Sequence, residues 1–148
     1  MVKVKIGHAK LADANVIYSL GKKVHELDFS RKYPFHERSE IREFIRKSRE
    51  NIFLVAKLDG KVVGFIYGRI LACSAGGWCM LDNIAVDKAH RYHGIGTLLL
   101  KEFCDILERK KVHYVQVLEE VHHKSTREFW KKKGFMETKT FLWAERRI

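Results

Sequence analysis

The segment from Met80 to Phe103 constrains this chain more than any other. Met80-Leu81-Asp82-Asn83-Ile84-Ala85-Val86 has the apolar character of a buried strand, and Arg91-Tyr92-His93-Gly94-Ile95-Gly96-Thr97 is a short basic loop with two glycines. Leu98-Leu99-Leu100-Lys101-Glu102-Phe103 then opens an amphipathic helix. A helix entered this way leaves its first N–H groups without backbone acceptors and points them at one spot. The helix dipole adds about half a positive charge there, and Gly94 and Gly96, lacking Cβ atoms, let an anion approach the backbone. The segment predicts a phosphate-binding turn. Other phosphate loops fit poorly. A dinucleotide fold wants a third glycine and starts its loop directly off the strand, whereas Asp87 to His90 intervene here; no G-K-[S/T] tripeptide of a Walker loop occurs.

At 148 residues the chain is read as one domain, residues 1–148. No apolar run approaches the ~20 residues needed to span a bilayer, and the N-terminus lacks the apolar core of a signal peptide, so cytoplasmic residence without membrane association is expected. Cys73, Cys79 and Cys104 contain no CxxC pair, which predicts buried reduced thiols rather than disulfides or a zinc site; no metal is expected. The net charge of +11 suits any polyanion. Nucleic acid is disfavoured as partner, because neither an aromatic stacking surface nor a groove-reading helix is apparent.

The elements alternate. Val2 to Ile6 reads as a strand, Leu11 to Leu27 and Arg38 to Arg49 as helices, and Asn51 to Leu58 and Lys61 to Ala72 as a hairpin about Asp59-Gly60. Ser74 to Gly77 reads as a loop, Trp78 to Val86 as the central strand, and Gly94 to Arg109 as the glycine-started helix. Lys111 to Val121 reads as a strand, Lys124 to Lys133 as a helix closed by Gly134, and Phe135 to Arg146 as one or two closing strands.

The pattern R-x-x-G-x-G at Arg91 to Gly96, in this setting, resembles the acetyl-coenzyme A signature of the GNAT superfamily of N-acetyltransferases. A second segment, His123 to Phe135, keeps the spacing of the family's N-x(6)-Y-x(3)-G-F pattern with Gly134-Phe135 at its end, but has His123 where asparagine is usual and Trp130 where tyrosine is usual. The resemblance covers nearly the whole chain and implies an α/β (α+β) GNAT fold, a mixed sheet of six to seven strands flanked by about four helices. It implies acetyl-coenzyme A as cosubstrate and a primary amine of a small molecule, polyamine or peptide as acceptor, and it leaves room for a homodimer.

Carried over residue by residue, the resemblance implies that Ile84, Ala85 and Val86 hydrogen-bond the pantetheine arm like an added strand. It implies further that Tyr92, His93, Gly94, Ile95, Gly96 and Thr97 cradle the pyrophosphate beside Arg91, with Lys88 adding charge and His123 near the cofactor. Lys131 reads better as a solvated helix face. Asp82 is a carboxylate inside an apolar strand, read equally as a general base with a raised pKa or as a brace for a neighbouring loop. Glu119 and Glu120 end the fifth strand, where one branch of the family keeps a glutamate. Trp130 leaves the usual acid in doubt, because indole N–H donates a hydrogen bond but does not ionise in this range. Trp130 is then either a lost acid or a packing residue, and the corresponding alternative function is a GNAT-fold protein that binds acyl-coenzyme A as a sensor or structural subunit.

Overall fold

The computed structural model describes residues 3–24, 27, 35–72 and 76–148. Contacts group them into two compact units, Met1–Leu118 and Glu119–Ile148.

The first unit is built on five strands in the spatial order of the sequence: β1 (Lys5–His8), β2 (Asn51–Leu58), β3 (Lys61–Leu71), β4 (Trp78–Val86) and β5 (Val115–Val117). β1 to β4 pair antiparallel, and β5 joins β4 in parallel. Asp59 and Gly60 turn the β2–β3 hairpin with φ of 49° and 78°, the positive values that a two-residue turn of matching twist requires. Side-chain alternation then divides the sheet into two apolar faces. Phe53, Val55, Phe65, Tyr67 and Ala85 meet Ala14, Ile17 and Leu20 of α1 (Ala14–Gly21) and Ile41 of α2 (Arg38–Arg46). The other face takes α3 (Ile95–Arg109), which buries Ile95, Leu99, Leu100, Phe103, Ile106 and Leu107. Gly64 and Gly68 let α3 sit close: a Cβ on Gly68 would lie 2.5 Å from the Phe103 ring and 2.9 Å from the Met80 carbonyl oxygen.

Among the described residues the sheet has five strands rather than the six to seven expected, since no strand follows Phe135, and β5 is also shorter than expected. β5 covers Val115–Val117 instead of Lys111 to Val121, because its ladder ends at the pair Leu81 and Val117. Immediately beyond, Tyr67 of β3 pairs with Asn83 while Gly68 pairs with Leu81, so Asp82 is an extra, bulged residue in β4. A bulge bends its strand and raises the local twist, turning β4 away from its neighbour. In the second unit, Phe135 to Arg146 forms no strand: α4 (Lys124–Lys132) is its only regular element, and extended backbone becomes a strand only beside another. Met136, Phe141, Leu142 and Trp143 of this segment are exposed.

The first helix is shorter than Leu11 to Leu27. A single 3-10 turn over Leu11–Asp13 leads into α1, which stops at Gly21, where Lys23 N–H turns back to the Leu20 carbonyl at 3.2 Å. Residues 25 and 26, the start of the first strand at Val2, residues 74 and 75 of the predicted loop, and Cys73 lie outside the described residues. Cys79 is buried as expected but Cys104 is exposed. No helix among the described residues is long and apolar enough to cross a membrane.

A Gly68→Ala substitution should destabilise the protein by about 1–3 kcal/mol, the usual cost of overpacking. Gly7→Ala, whose Cβ would meet nothing within 4 Å, should stay within about 0.5 kcal/mol of wild type. Urea unfolding midpoints of the two variants check the contrast.

Candidate active site

The turn after β4 is shaped by its own side chains. Asp87 caps a 3-10 turn over Lys88–His90, accepting the Ala89 N–H at 2.9 Å, and Arg91 reaches back to donate through Nε to the Val86 carbonyl at 3.0 Å. Tyr92 then takes φ 63° and Gly94 takes φ 78° as the N-cap of α3, whose first backbone bond within the helix runs from Leu98 N–H to the Gly94 carbonyl at 3.0 Å. The N–H groups of Ile95, Gly96 and Thr97 precede that bond and have no carbonyl a turn behind them. A Cβ on Gly94 would meet nothing within 4 Å, so open space lies over the cap. Tyr92, His93 and Thr97 are exposed around it, whereas Ile95 anchors the helix start in the core. Beside this turn is a cleft of about 440 Å³ lined by Leu20, Lys23, Val24, Val86, Asp87, Lys88 and Arg91, three of them cationic and one anionic.

Along β4 itself, Ile84, Ala85 and Val86 pair with Ile66, Phe65 and Gly64 of β3. On the β5 side the described residues offer them no strand, since that ladder ends at Leu81. The predicted cradle and the predicted strand edge therefore lie end to end in one unit.

At the bulge, Asp82 accepts two hydrogen bonds from one guanidinium, Arg69 Nε at 2.7 Å and Arg69 Nη2 at 2.8 Å. The Asp82 side chain is 17% exposed and that of Arg69 is 49%, so the cation lies outermost. Asp82 is thus partnered across the ladder by the neighbouring strand. Arg69 escaped the sequence reading; its signal was a lone cation in an apolar strand adjacent to a strand with a lone acid. Tyr67 and Asn83, cross-strand partners, are both buried beside the pair. The His36 ring stands edge-on to Tyr67 at 6.2 Å and to Phe44 at 4.9 Å. Burial lowers the His36 pKa, opposed by Glu40 and by a hydrogen bond with Asn83, and burial raises that of the Tyr67 phenol, with Asp82 adding to the effect. Both shifts disfavour the charged form of the group.

The second unit carries Glu119, His123 and Trp130. Gly134, at φ 86°, closes α4 with two bonds, Gly134 N–H to the Lys131 carbonyl at 3.1 Å and Phe135 N–H to the Trp130 carbonyl at 3.0 Å. This is a Schellman cap, and its accompanying apolar contact is the Trp130–Phe135 ring pair at 5.0 Å. The Gly134-Phe135 spacing seen in the sequence is thus a device that fixes Trp130. Trp130 is 5% exposed, and its only donor, Nε1–H, bonds Glu119 Oε2 at 3.1 Å. His123 Nδ1 lies 3.4 Å from Glu119 Oε1, and His123 Nε2 lies 3.7 Å from Glu120 Oε2. Burial pushes the Glu119 carboxyl above its ordinary range, while the Trp130 bond and His123 oppose the rise. Lys131 lies 3.5 Å from Glu137 on the helix surface. No group of three or more His, Cys, Asp or Glu among the described residues could hold a metal ion.

Residues 21–135 match the acetyltransferase (GNAT) family. The chain belongs to that family. Acetyl-coenzyme A is the cosubstrate of GNAT acetyltransferases, in keeping with the turn after β4. Solved structures share the fold at low identity. The paia N-acetyltransferase of Thermoplasma acidophilum, in complex with coenzyme A, is 21% identical with a TM-score of 0.79, over 94% of this chain and 93% of that one. The aminoglycoside N-acetyltransferase AAC(6')-Iy, in complex with coenzyme A, is 15% identical with a TM-score of 0.80, over 100% and 97%. A protein of Bacillus halodurans described as a transcriptional regulator is 18% identical with a TM-score of 0.81, over 97% and 100%. No curated protein sequence matches significantly.

The folded-state pKa of Glu119 exceeds its unfolded value, so ionising Glu119 opposes folding. Its contribution to stability is full below the ordinary value of 4.5 and is lost as pH rises through the raised one. Glu119→Gln should therefore lose less stability than wild type as pH rises from 4.5 toward neutrality. Trp130→Phe, which deletes the donor that favours the carboxylate, should lose more. Denaturant midpoints across that range check both signs.

Proposed function

We propose that this protein transfers the acetyl group of acetyl-coenzyme A to a primary amine. The observation that carries the proposal is the continuity of a glycine-capped helix start with a strand edge that has no neighbour among the described residues, Ile84 to Val86 leading into Gly94 to Thr97. The residues fit the cosubstrate: the space over Gly94 admits a phosphate oxygen to the backbone, and Lys23, Lys88 and Arg91 supply positive charge beside it. Ile84, Ala85 and Val86 would hold an extended amide arm by main-chain hydrogen bonds, as strands accept extended peptides. When bound, acetyl-coenzyme A supplies the acetyl group, an amide N–C bond forming as the C–S bond breaks and the sulfur leaves as thiol. With phosphate at the turn after Val86 and the arm along Val86 to Ile84, the chemistry falls beside Asn83 and the Asp82 bulge. The amine is received there, on the face that carries Tyr67 and His36.

The amine must lose a proton, and within the second unit Glu119 is the carboxylate whose chemistry suits a proton acceptor. Support comes from its chemistry: a carboxylate raised by burial sits closer to the working pH than an ordinary one, whereas both Asp82 oxygens are held by Arg69. Trp130 is a positioning residue that orients Glu119, and His123 adjoins the same carboxylate. Both units are taken as one domain, because the family match runs across Leu118 and Glu119. One observation favours a second reading, an acyl-coenzyme A sensor without turnover: Trp130 commits its single donor to Glu119 and offers no ionisable acid at the tyrosine position.

Coenzyme A release on an amine panel separates the two readings, since a sensor binds acetyl-coenzyme A but releases nothing. Gly96→Val should weaken coenzyme A binding by roughly tenfold, about 1.4 kcal/mol, in calorimetry. Unchanged affinity in a folded variant overturns the phosphate assignment. Glu119→Gln should cut turnover about a hundredfold with coenzyme A affinity intact, and Asp82→Asn should cut it far less. The reverse order returns the base to Asp82.

A further inference from the structure

We infer that Arg69 determines acceptor specificity, selecting an amine that carries a carboxylate close to its amino group over a polyamine or an aminoglycoside. The inference rests on the reading above, in which the amine is received at the β4 bulge, and it names the class of that amine.

The carboxylate at the bulge is spent. Asp82 is the bulged residue of β4, and a bulge re-aims its side chain out of the ladder. Both of its oxygens accept from the Arg69 fork, at 2.7 and 2.8 Å, so a cationic acceptor finds no free carboxylate oxygen in the direction of the pair. The order of exposure matters equally. Arg69 is half exposed while Asp82 lies beneath it, and an approaching group meets the guanidinium first. Two of the five N–H donors of Arg69 are used on Asp82, leaving three for another acceptor. A guanidinium with spare donors in a partly desolvated place recognises a carboxylate in two-pronged fashion.

The surroundings carry the same sign. Glu40, the other carboxylate that bears on His36, is occupied as a cap, its Oε2 accepting the Glu37 N–H at 2.7 Å. A chain of net charge +11 repels a polycation over several ångströms and draws an anionic group inward. An amine flanked by an acid, as in a free amino acid or a peptide with an acidic first residue, pairs its carboxylate with Arg69 and presents its nitrogen at the bulge.

The test is a steady-state comparison of coenzyme A release with glutamate, an Asp-initiated peptide, spermidine and kanamycin, for wild type, Arg69→Met and Arg69→Lys. Calorimetric binding of acetyl-coenzyme A certifies that each variant is folded. Wild type should prefer the acid-bearing amines, and whichever of glutamate and the peptide has the higher kcat/KM identifies the source. Arg69→Met should raise KM for that acceptor at least tenfold with a smaller change in kcat, and should lower KM for spermidine, because Asp82 is laid bare. Arg69→Lys should restore part of the original preference. Wild-type preference for spermidine or kanamycin, or an Arg69→Met change of equal proportion for both amine classes, overturns this inference alone. Absence of release with every amine, with acetyl-coenzyme A still bound, overturns the transferase reading together with it.

Discussion

The parting of β4 from β5 after Leu81 is the constraint on which the rest of the first unit depends. A parallel ladder of three residue pairs closes one end of the sheet, and the Asp82 bulge then turns β4 out of register with its neighbour. Without that departure, the backbone of Ile84 to Val86 would be consumed by another strand, and the turn at Gly94 would have nothing to lead into. The bulge is held from both sides. Arg69 grips its side chain from β3, and the absence of a side chain on Gly68 lets α3 bring Phe103 against the strand beneath it. The same helix that packs the core there begins at Ile95, behind the left-handed Gly94 cap.

Polar groups of the first unit are mostly committed, and what is left over defines what the site can do. Asp87 is used as a cap, Arg91 as a tether to Val86, and Asp82 as a partner for Arg69. The remaining charge near the cleft is positive, from Lys23, Lys88 and the rest of the Arg91 guanidinium. Half-buried His36 and buried Tyr67 add polar groups whose charged forms burial disfavours. The charges beside the turn are thus mainly cationic, and the bulge carboxylate lies beneath a guanidinium.

In the second unit, one capping motif organises the side chains around Glu119. The Schellman closure at Gly134 brings Phe135 against Trp130, which places the indole N–H on Glu119. Burial raises the Glu119 pKa, and the indole donor opposes the rise. A tyrosine at position 130 would be both donor and acid; tryptophan supplies only the donor.

Local chemistry made much of this visible in the sequence. The hairpin at Asp59-Gly60, the limits of β2 and β4, the helix begun at Gly94 and the cap at Gly134 follow from turn geometry, alternation and the positive φ that glycine tolerates. Those signals act over a few residues, and they sufficed to find the glycine turn that starts α3. The length of β5, the missing closing strands after Phe135, and the early end of α1 at Gly21 were not legible, because each depends on whether a distant segment is present to pair or pack. The same holds for the partners of the acids. Asp82 and Glu119 could be singled out as unusual residues, but the sequence could not say that one faces Arg69 across a bulge and the other faces Trp130 across a helix cap. Whether a carboxylate stays free for chemistry is decided by what lies within about 3 Å of it, and only the tertiary structure supplies that neighbour.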